Sequence, residues 1–230
     1  MIENARLVDA PAPRTLSRSV GSLEVLAIAL LLGAVACSEP DPRPMNELVR
    51  QGDVFLDPQT LEPYSGPVFS TFDDAPLVIE ARLSLRDGAY DGPYEAYFGN
   101  RQLSSREAYQ NGRKHGPYER YFDSGRLFEK GSYLMGILEG PYEAFWESGD
   151  LYEKGTYRAG EFDGARAWYL NGDLIELVTY VGGVIHGPYE RYDVDGTLDL
   201  SGTLRGGAPC GRWLEGSVTI TYPPCDESTE

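Results

Sequence analysis

The sequence predicts an all-β protein in which tandem β-hairpin repeats of about 24 residues form an elongated, twisted, single-layer antiparallel meander sheet. Three observations predict this fold. A Gly-Pro-Tyr-Glu motif returns at a nearly constant interval, and short aromatic runs alternate with turns rich in Gly, Asn and Asp. No stretch has a sustained helical period or a helix-capping pattern.

The glycine of the motif marks each repeat. It recurs at intervals of 24, 24, 24, 23 and 24 residues, at Gly92, Gly116, Gly140, Gly164, Gly187 and Gly211. Gly66 fits as a degenerate first unit, 26 residues upstream. A single unit cannot bury its aromatic rings, whereas stacked units can pack each Tyr against its equivalent in the next unit. The period therefore predicts a repeat protein.

Each unit is predicted to be one hairpin. Two β-prone runs are bounded by turn residues, and Asn111-Gly112 and Asn171-Gly172 are among the strongest hairpin dipeptides. The second and fifth positions after the marker glycine are both aromatic, although they have opposite parity in a strand. Either both faces of the sheet carry aromatic rings or a bulge lies between the two positions.

The N-terminal region is predicted to be an export signal at residues 1–36. The run Val25–Ala36 is wholly apolar but too short to span a bilayer, and Arg residues precede it. The small residues before Cys37 resemble the lipobox of bacterial lipoproteins, which implies that Cys37 is lipidated. Ser38 then implies sorting to the outer membrane, facing the periplasm or the cell surface.

The remaining chain divides into three predicted segments. Residues 37–52 form the lipidated Cys and a Pro-rich linker. We expect its proline-rich stretch at residues 38–45 to be a stiff, extended spacer outside any sheet, because proline cannot donate to a ladder. Residues 53–225 form the repeat domain with a C-terminal cap, and residues 226–230 form an acidic tail. Removing Cys37 leaves Cys210 and Cys225, so we expect a disulfide between them in an oxidising compartment.

Composition disfavours several functions. A net charge of −16 repels phosphate backbones, so we expect no nucleic-acid partner, and attraction to anionic lipid headgroups is equally unfavourable. His115 and His186 occupy a slot that holds Asp, Glu or Cys in other units, which indicates a solvated turn position and not a catalytic one. We expect a non-enzymatic protein with no catalytic residue, metal site or cofactor.

Binding is the function that the repeat predicts best. Tyr, Trp and Arg dominate the energetics of protein interfaces, and a repeat sheet displays them in rows. The candidate surface consists of Arg120, Trp146, Arg166, Trp168, Arg191 and Trp213. We expect a protein partner and a membrane-anchored scaffold; contact with peptidoglycan, using the aromatic rows as sugar platforms, is a further alternative.

The pattern Gly-x-Tyr-x-x-Tyr-x-x-x-Gly-x-Leu, followed by Tyr-x-x-Gly, resembles bacterial MORN-variant repeats of the YwqK-family antitoxins. The resemblance covers about residues 53–216 and implies a repeat sheet. It also implies an alternative function, in which the protein neutralises a toxin as an antitoxin or immunity protein. Ala165-Arg166 replaces the expected Pro-Tyr, and a cytoplasmic antitoxin has no need of a lipoprotein signal.

Overall fold

A computed structural model describes residues 40–225 of the chain. The export signal at residues 1–36, the lipidation of Cys37 and the acidic tail at residues 226–230 lie outside the described residues. Within residues 40–225, no helix has the length and apolar content required to cross a membrane.

The described residues form strands and one short 3-10 helix at Met45–Glu47. The first ten strands are β1 (Arg43–Pro44), β2 (Val49–Gln51), β3 (Val54–Leu56), β4 (Gly66–Phe72), β5 (Ala75–Arg86), β6 (Ala89–Tyr97), β7 (Leu103–Gln110), β8 (Arg113–Lys114), β9 (Gly116–Tyr121) and β10 (Leu127–Leu134). The rest are β11 (Ile137–Leu138), β12 (Gly140–Phe145), β13 (Leu151–Arg158), β14 (Glu161–Phe162), β15 (Gly164–Leu170), β16 (Asp173–Val181), β17 (Val184–Tyr192), β18 (Leu198–Arg205), β19 (Ala208–Glu215) and β20 (Val218–Thr221).

The strands from β4 to β20 form one antiparallel meander in an open sheet, which confirms the predicted fold class. Each hairpin follows the previous one in the sheet, as the repeat requires. The turns have the predicted chemistry: Asn111 and Gly112 both have positive φ, of 49° and 78°, and so do Asn171 and Gly172. Asn and Gly tolerate this conformation, which the tight two-residue hairpin turn needs at both positions.

A register shift in every complete unit answers the question about aromatic parity. Tyr121 pairs with Leu127 and Arg120 pairs with Glu129, so Phe128 is an extra residue in its strand. The same shift recurs beside Tyr97, Phe145, Tyr169 and Tyr192. Both alternatives are therefore correct: a bulge lies in each hairpin, and the two aromatic positions are on opposite faces of the sheet.

Two faces follow from this register. The ring face carries the residue two positions after each marker glycine, namely Val68, Tyr94, Tyr118, Tyr142, Arg166, Tyr189 and Trp213. The charged face carries the residue three positions after it, such as Glu119, and the cross-strand partner Lys130.

Glycines of the second strand allow the rings to lie flat on the ring face. Gly131 lies opposite Tyr118, and a Cβ at Gly131 would be 2.8 Å from the ring. A Cβ at Gly202 would be 2.1 Å from the indole of Trp213. Because a side chain at either position would displace the ring, three units have glycine there, namely Gly131, Gly155 and Gly202, whereas Glu107 and Val178 hold the equivalent position in two others.

The N-terminal segment differs from the expected linker. Arg43–Pro44 pairs in parallel with Val68 and Phe69 at the edge of the sheet, a position that accepts proline because one side of an edge strand needs no donor. Leu48 packs in the main hydrophobic cluster with Phe55, Val68, Ala81, Leu83 and Leu85. The expectation that the proline-rich stretch stays outside the sheet is therefore wrong for Arg43–Pro44, because this dipeptide pairs with β4 while Met45 and Leu48 pack on the ring face of the first hairpin. Val49–Gln51 pairs with β3 in a separate two-stranded sheet.

The C-terminal end forms a compact turn after the last strand. Cys210 and Cys225 are joined by a disulfide, with Cα atoms 5.0 Å apart. The Gly211 N–H donates to the Pro223 carbonyl oxygen at 2.8 Å, and the Tyr222 N–H donates to the Gly211 carbonyl oxygen at 2.8 Å. These bonds tie the end of the chain to β19.

Candidate protein-binding surface

Aromatic rings of adjacent hairpins contact each other along the ring face. Tyr118 and Tyr133 have ring centroids 4.9 Å apart. Phe162 lies 4.1 Å from Tyr157 and 5.8 Å from Tyr180, so it joins two consecutive units. The rings therefore stabilise the stacking of hairpins, which is the packing that the repeat predicted.

Three buried carboxylates lie among these rings. Glu107, Glu129 and Glu153 are 6%, 8% and 5% exposed. Each has a cationic partner: Lys114 lies 2.7 Å from Glu107, Arg120 binds Glu129, and Arg166 binds Glu153. A buried charge is tolerated when it is paired in this way.

Arg120 and Arg166, two residues of the predicted surface, thus form ion pairs with buried carboxylates of the ring face. The guanidinium of Arg166 also lies 4.1 Å from the ring centroids of both Phe162 and Trp168. Arg166 occupies the position that Tyr holds in several other units. There it contacts the neighbouring aromatic rings through cation–π interactions, where a Tyr would contact them through its own ring. Arg166 and Trp168 are brought together, but as packing partners.

Trp213 and Arg191, two further residues of the predicted surface on the ring face, differ from each other in exposure. Trp213 is 7% exposed, and its indole N–H donates to the carbonyl oxygens of Thr203 and Cys210. Trp213 is therefore buried in the final unit and does not belong to an exposed surface. Arg191 is exposed and donates to Asp199 at 2.6 Å.

Trp146 is the predicted tryptophan that the structure leaves on the surface. It is 42% exposed, six positions after its marker glycine, where the hairpin reaches its loop. Its ring packs against Tyr152 with centroids 4.5 Å apart, and its indole N–H donates to the Tyr169 carbonyl oxygen at 3.4 Å. These contacts fix the orientation of a large exposed ring.

The equivalent positions in the flanking units are also apolar, and sequence reasoning missed them. Phe122 and Phe128 pack with centroids 5.1 Å apart, and Phe128 is 39% exposed. Leu170 is 42% exposed one unit after Trp146. We name Phe122, Phe128, Trp146, Tyr152 and Leu170 the rim strip. The signal for it was present: an apolar residue six positions after the glycine in consecutive units.

Carboxylates border the rim strip. The hairpin loops at this end of the strands carry Asp123, Glu147, Asp150 and Asp173. Among residues 40–225, the ion pairs of the sheet involve other carboxylates and leave these four without a cationic partner. Arg126 lies among them and donates to the backbone carbonyl oxygen of Glu147 at 2.6 Å. The strip is thus an apolar surface in an acidic surrounding.

The opposite face carries charges of alternating sign. Consecutive cross-strand partners are Arg82, Glu95, Arg106, Glu119, Lys130, Glu143 and Lys154. Arg106 lies 3.3 Å from Glu95 and 3.5 Å from Glu119. Burial, together with a hydrogen bond to Glu119, raises the pKa of Tyr121 to about 12. Arg106 and Lys130 of this face thus pair with carboxylates of neighbouring strands.

The histidine slot has a structural role. In two other units this position holds Asp91 or Glu139. Each carboxylate accepts a hydrogen bond from a turn N–H of the next hairpin: Asp91 from Asn111 at 3.1 Å, and Glu139 from Ala159 at 2.8 Å. His186 is exposed in this slot, whereas His115 is half-buried and its Nδ1 has no hydrogen-bond partner among the described residues. The expectation of a solvated turn position is therefore wrong for His115, which is half-buried, and only partly right for His186, which is exposed but lies in β17 and not in a turn. Within residues 40–225, no group of His, Cys, Asp and Glu has the geometry of a metal site.

Two units match the family described as "MORN repeat variant", at residues 114–134 and 138–159. Both matched ranges contain one complete hairpin with its bulge, β9–β10 and β12–β13. Such repeats are generally found in repeat proteins that bind proteins or membranes. No curated protein sequence matches the chain.

Proposed function

We propose that this protein is a non-enzymatic, membrane-anchored scaffold that binds a protein partner through the rim strip. The observation that carries the proposal is an apolar residue at the same position of three consecutive hairpins, Phe122, Trp146 and Leu170. Trp146 and Leu170 are each 42% exposed, and Phe122 packs against Phe128, which is 39% exposed. Large apolar side chains that remain exposed in register form a continuous contact surface, and Trp is enriched among interface hot spots.

The rest of the sheet supports this assignment by contrast. The rings of the ring face pack on each other, and its arginines pair with buried carboxylates. The charged face pairs its cations with its own acids. These two faces stabilise the scaffold, and the rim strip is the part of the aromatic pattern that faces solvent.

Affinity capture tests the binding function. The full-length protein, tagged at its C-terminus, is recovered from detergent-solubilised envelopes after mild cross-linking. We expect a defined protein to copurify and to rebind after separate purification of both components. Recovery of peptidoglycan fragments without protein would replace the proposal with the glycan-binding alternative. An antitoxin or immunity role is the special case in which the captured protein is a toxin.

Membrane anchoring is tested separately. Wild-type protein is expected in the detergent phase of a phase-partition experiment, and the Cys37→Ser variant in the aqueous phase, because two or three acyl chains are needed for stable anchoring. Mass spectrometry of the N-terminal peptide identifies the modification. Aqueous partition of the wild-type protein would contradict the anchor and leave the binding function untouched.

A further inference from the structure

The rim strip has a spacing that limits what it can bind. Each unit contributes two strands, so equivalent side chains of consecutive units lie about 9.5 Å apart across the sheet. Phe122, Trp146 and Leu170 lie six positions after the marker glycines of three consecutive units. Trp146 and Leu170 are each 42% exposed, and the Phe122 ring packs 5.1 Å from that of Phe128, which is 39% exposed. A ligand that crosses the hairpin ends therefore meets an apolar contact at this interval.

An extended proline-rich segment has the same interval. A polyproline II helix has three residues per turn and advances about 9.3 Å per turn, so every third residue points in the same direction. A β-strand presents side chains on one side at about 6.7 Å, which does not match the interval. Polyproline II segments also bind aromatic surfaces in known recognition modes because their conformation costs little entropy to fix.

The charge of the surroundings defines the side chains of the ligand. Asp123, Glu147, Asp150 and Asp173 lie in the loops of the same hairpins, and Asp150 accepts a hydrogen bond from Ser148 at 2.7 Å without a cationic partner. An Arg or Lys beside Trp146 gains both a carboxylate and an aromatic face. A neutral segment gains only the aromatic contact, and an acidic segment is repelled by the carboxylates.

We propose that the rim strip binds an extended basic protein segment in the polyproline II conformation, with Arg or Lys at every third residue. The inference rests on the proposed binding function and specifies the chemistry of the partner. The cations lie between the loop carboxylates and the exposed rings, and the prolines between them keep the segment extended across three hairpins.

Fluorescence anisotropy tests the inference with a labelled peptide of repeated Arg-Pro-Pro triplets and the full-length protein in detergent. We expect saturable binding that weakens with salt. Trp146→Ala is expected to weaken it about five- to tenfold, as is typical when a cation–π contact at an interface is lost. The matched control is Ile137→Ala at the opposite ends of the hairpins, where Ile137 is 51% exposed; it should bind as the wild type does.

Two further comparisons separate specific recognition from general attraction between opposite charges. A peptide of the same composition with its arginines contiguous should bind several-fold more weakly, because its cations do not match the repeat interval. Asp150→Asn with Asp173→Asn should weaken binding and reduce its salt dependence, whereas Glu161→Gln at the opposite ends should not. Circular dichroism of each variant verifies that the sheet is intact.

The inference is overturned if the two peptides bind equally, or if Trp146→Ala with an intact sheet binds the triplet peptide as the wild type does. Capture of the cellular partner distinguishes this failure from failure of the proposed function. A partner retained equally by the wild type and by Trp146→Ala would refute the rim strip as the site while a binding scaffold remained. Absence of any captured protein would refute the scaffold itself.

Discussion

Replacing Arg166 with Met tests the structural account of the ring face. The Arg166 side chain is 22% exposed, and the Glu153 carboxylate to which it donates is 7% exposed. The guanidinium lies between Phe162 and Trp168, 4.1 Å from each ring centroid. Methionine retains most of the apolar stem but removes the charge, so Glu153 would be left buried without its cation.

The expected loss of stability follows from this burial. Removing one partner of a buried ion pair typically costs about 3–5 kcal/mol, because the remaining charge has lost its solvent and its partner. The partial exposure of Arg166 places the expected cost near the lower end, at about 3 kcal/mol. Glu153→Met should cost less, about 1 kcal/mol, because the arginine can still contact the rings and reach water.

Urea unfolding monitored by circular dichroism and by tryptophan fluorescence measures these differences. The double variant Arg166→Met with Glu153→Met should be more stable than Arg166→Met alone by about 2 kcal/mol, because it removes the unpaired charge as well. If the double variant is as unstable as the sum of the two single variants, the ion pair is not what stabilises this unit. A loss below about 1 kcal/mol for Arg166→Met would likewise contradict the reasoning.

Three other predictions concern the glycines, the tyrosines and the disulfide. Gly202→Ala should destabilise the sheet by about 1–3 kcal/mol in urea unfolding, because its Cβ would lie 2.1 Å from Trp213; Gly99→Ala, with open space around its Cβ, is the control. Burial and carboxylate hydrogen bonds raise the pKa values of Tyr121 and Tyr189 from 10.0 to about 12. The folded protein therefore holds these protons more tightly than the unfolded chain, so the stability they contribute is complete below pH 10 and is lost as the pH rises towards 12. Ultraviolet absorbance of tyrosinate and thermal melts at several pH values measure both effects. Reduction of the disulfide between Cys210 and Cys225, 15 residues apart, should lower stability by about 3 kcal/mol.

Each of these has an outcome that would contradict it. Equal stability of Gly202→Ala and Gly99→Ala would mean that Trp213 does not lie on the glycine. Complete tyrosine ionisation in the folded protein near pH 10.0 would mean that the carboxylate contacts are absent. An unchanged melt after reduction, with both thiols free by mass spectrometry, would remove the disulfide from the account of the C-terminal end.

The period, the hairpin and its turns could be predicted from the sequence because they depend on local interactions. An Asn-Gly dipeptide favours the positive φ values of a two-residue hairpin turn, as at Asn111-Gly112. The interval of about 24 residues between equivalent glycines and tyrosines implies stacked units. The linker expectation failed for Arg43–Pro44 because their pairing depends on Val68 and Phe69 of β4, residues that are not neighbours in the sequence.

The candidate surface shows where sequence alone stops. Trp146, Trp168 and Trp213 are equivalent by residue type, yet their burial differs because each faces different cross-strand neighbours. Gly202 leaves room that Trp213 fills, Arg166 packs on Trp168, and Trp146 remains 42% exposed at its loop position.

The sequence by itself determined that the chain repeats, that each unit is a hairpin, and that its surface is acidic. The tertiary structure decided which side of the sheet each ring occupies, through the bulge residue in every unit, such as Phe128. It also decided that Arg120 and Arg166 bind inside the sheet, while Trp146 and its neighbours reach solvent. The physical reason is that burial is a property of cross-strand contact, which a one-residue shift in register reverses.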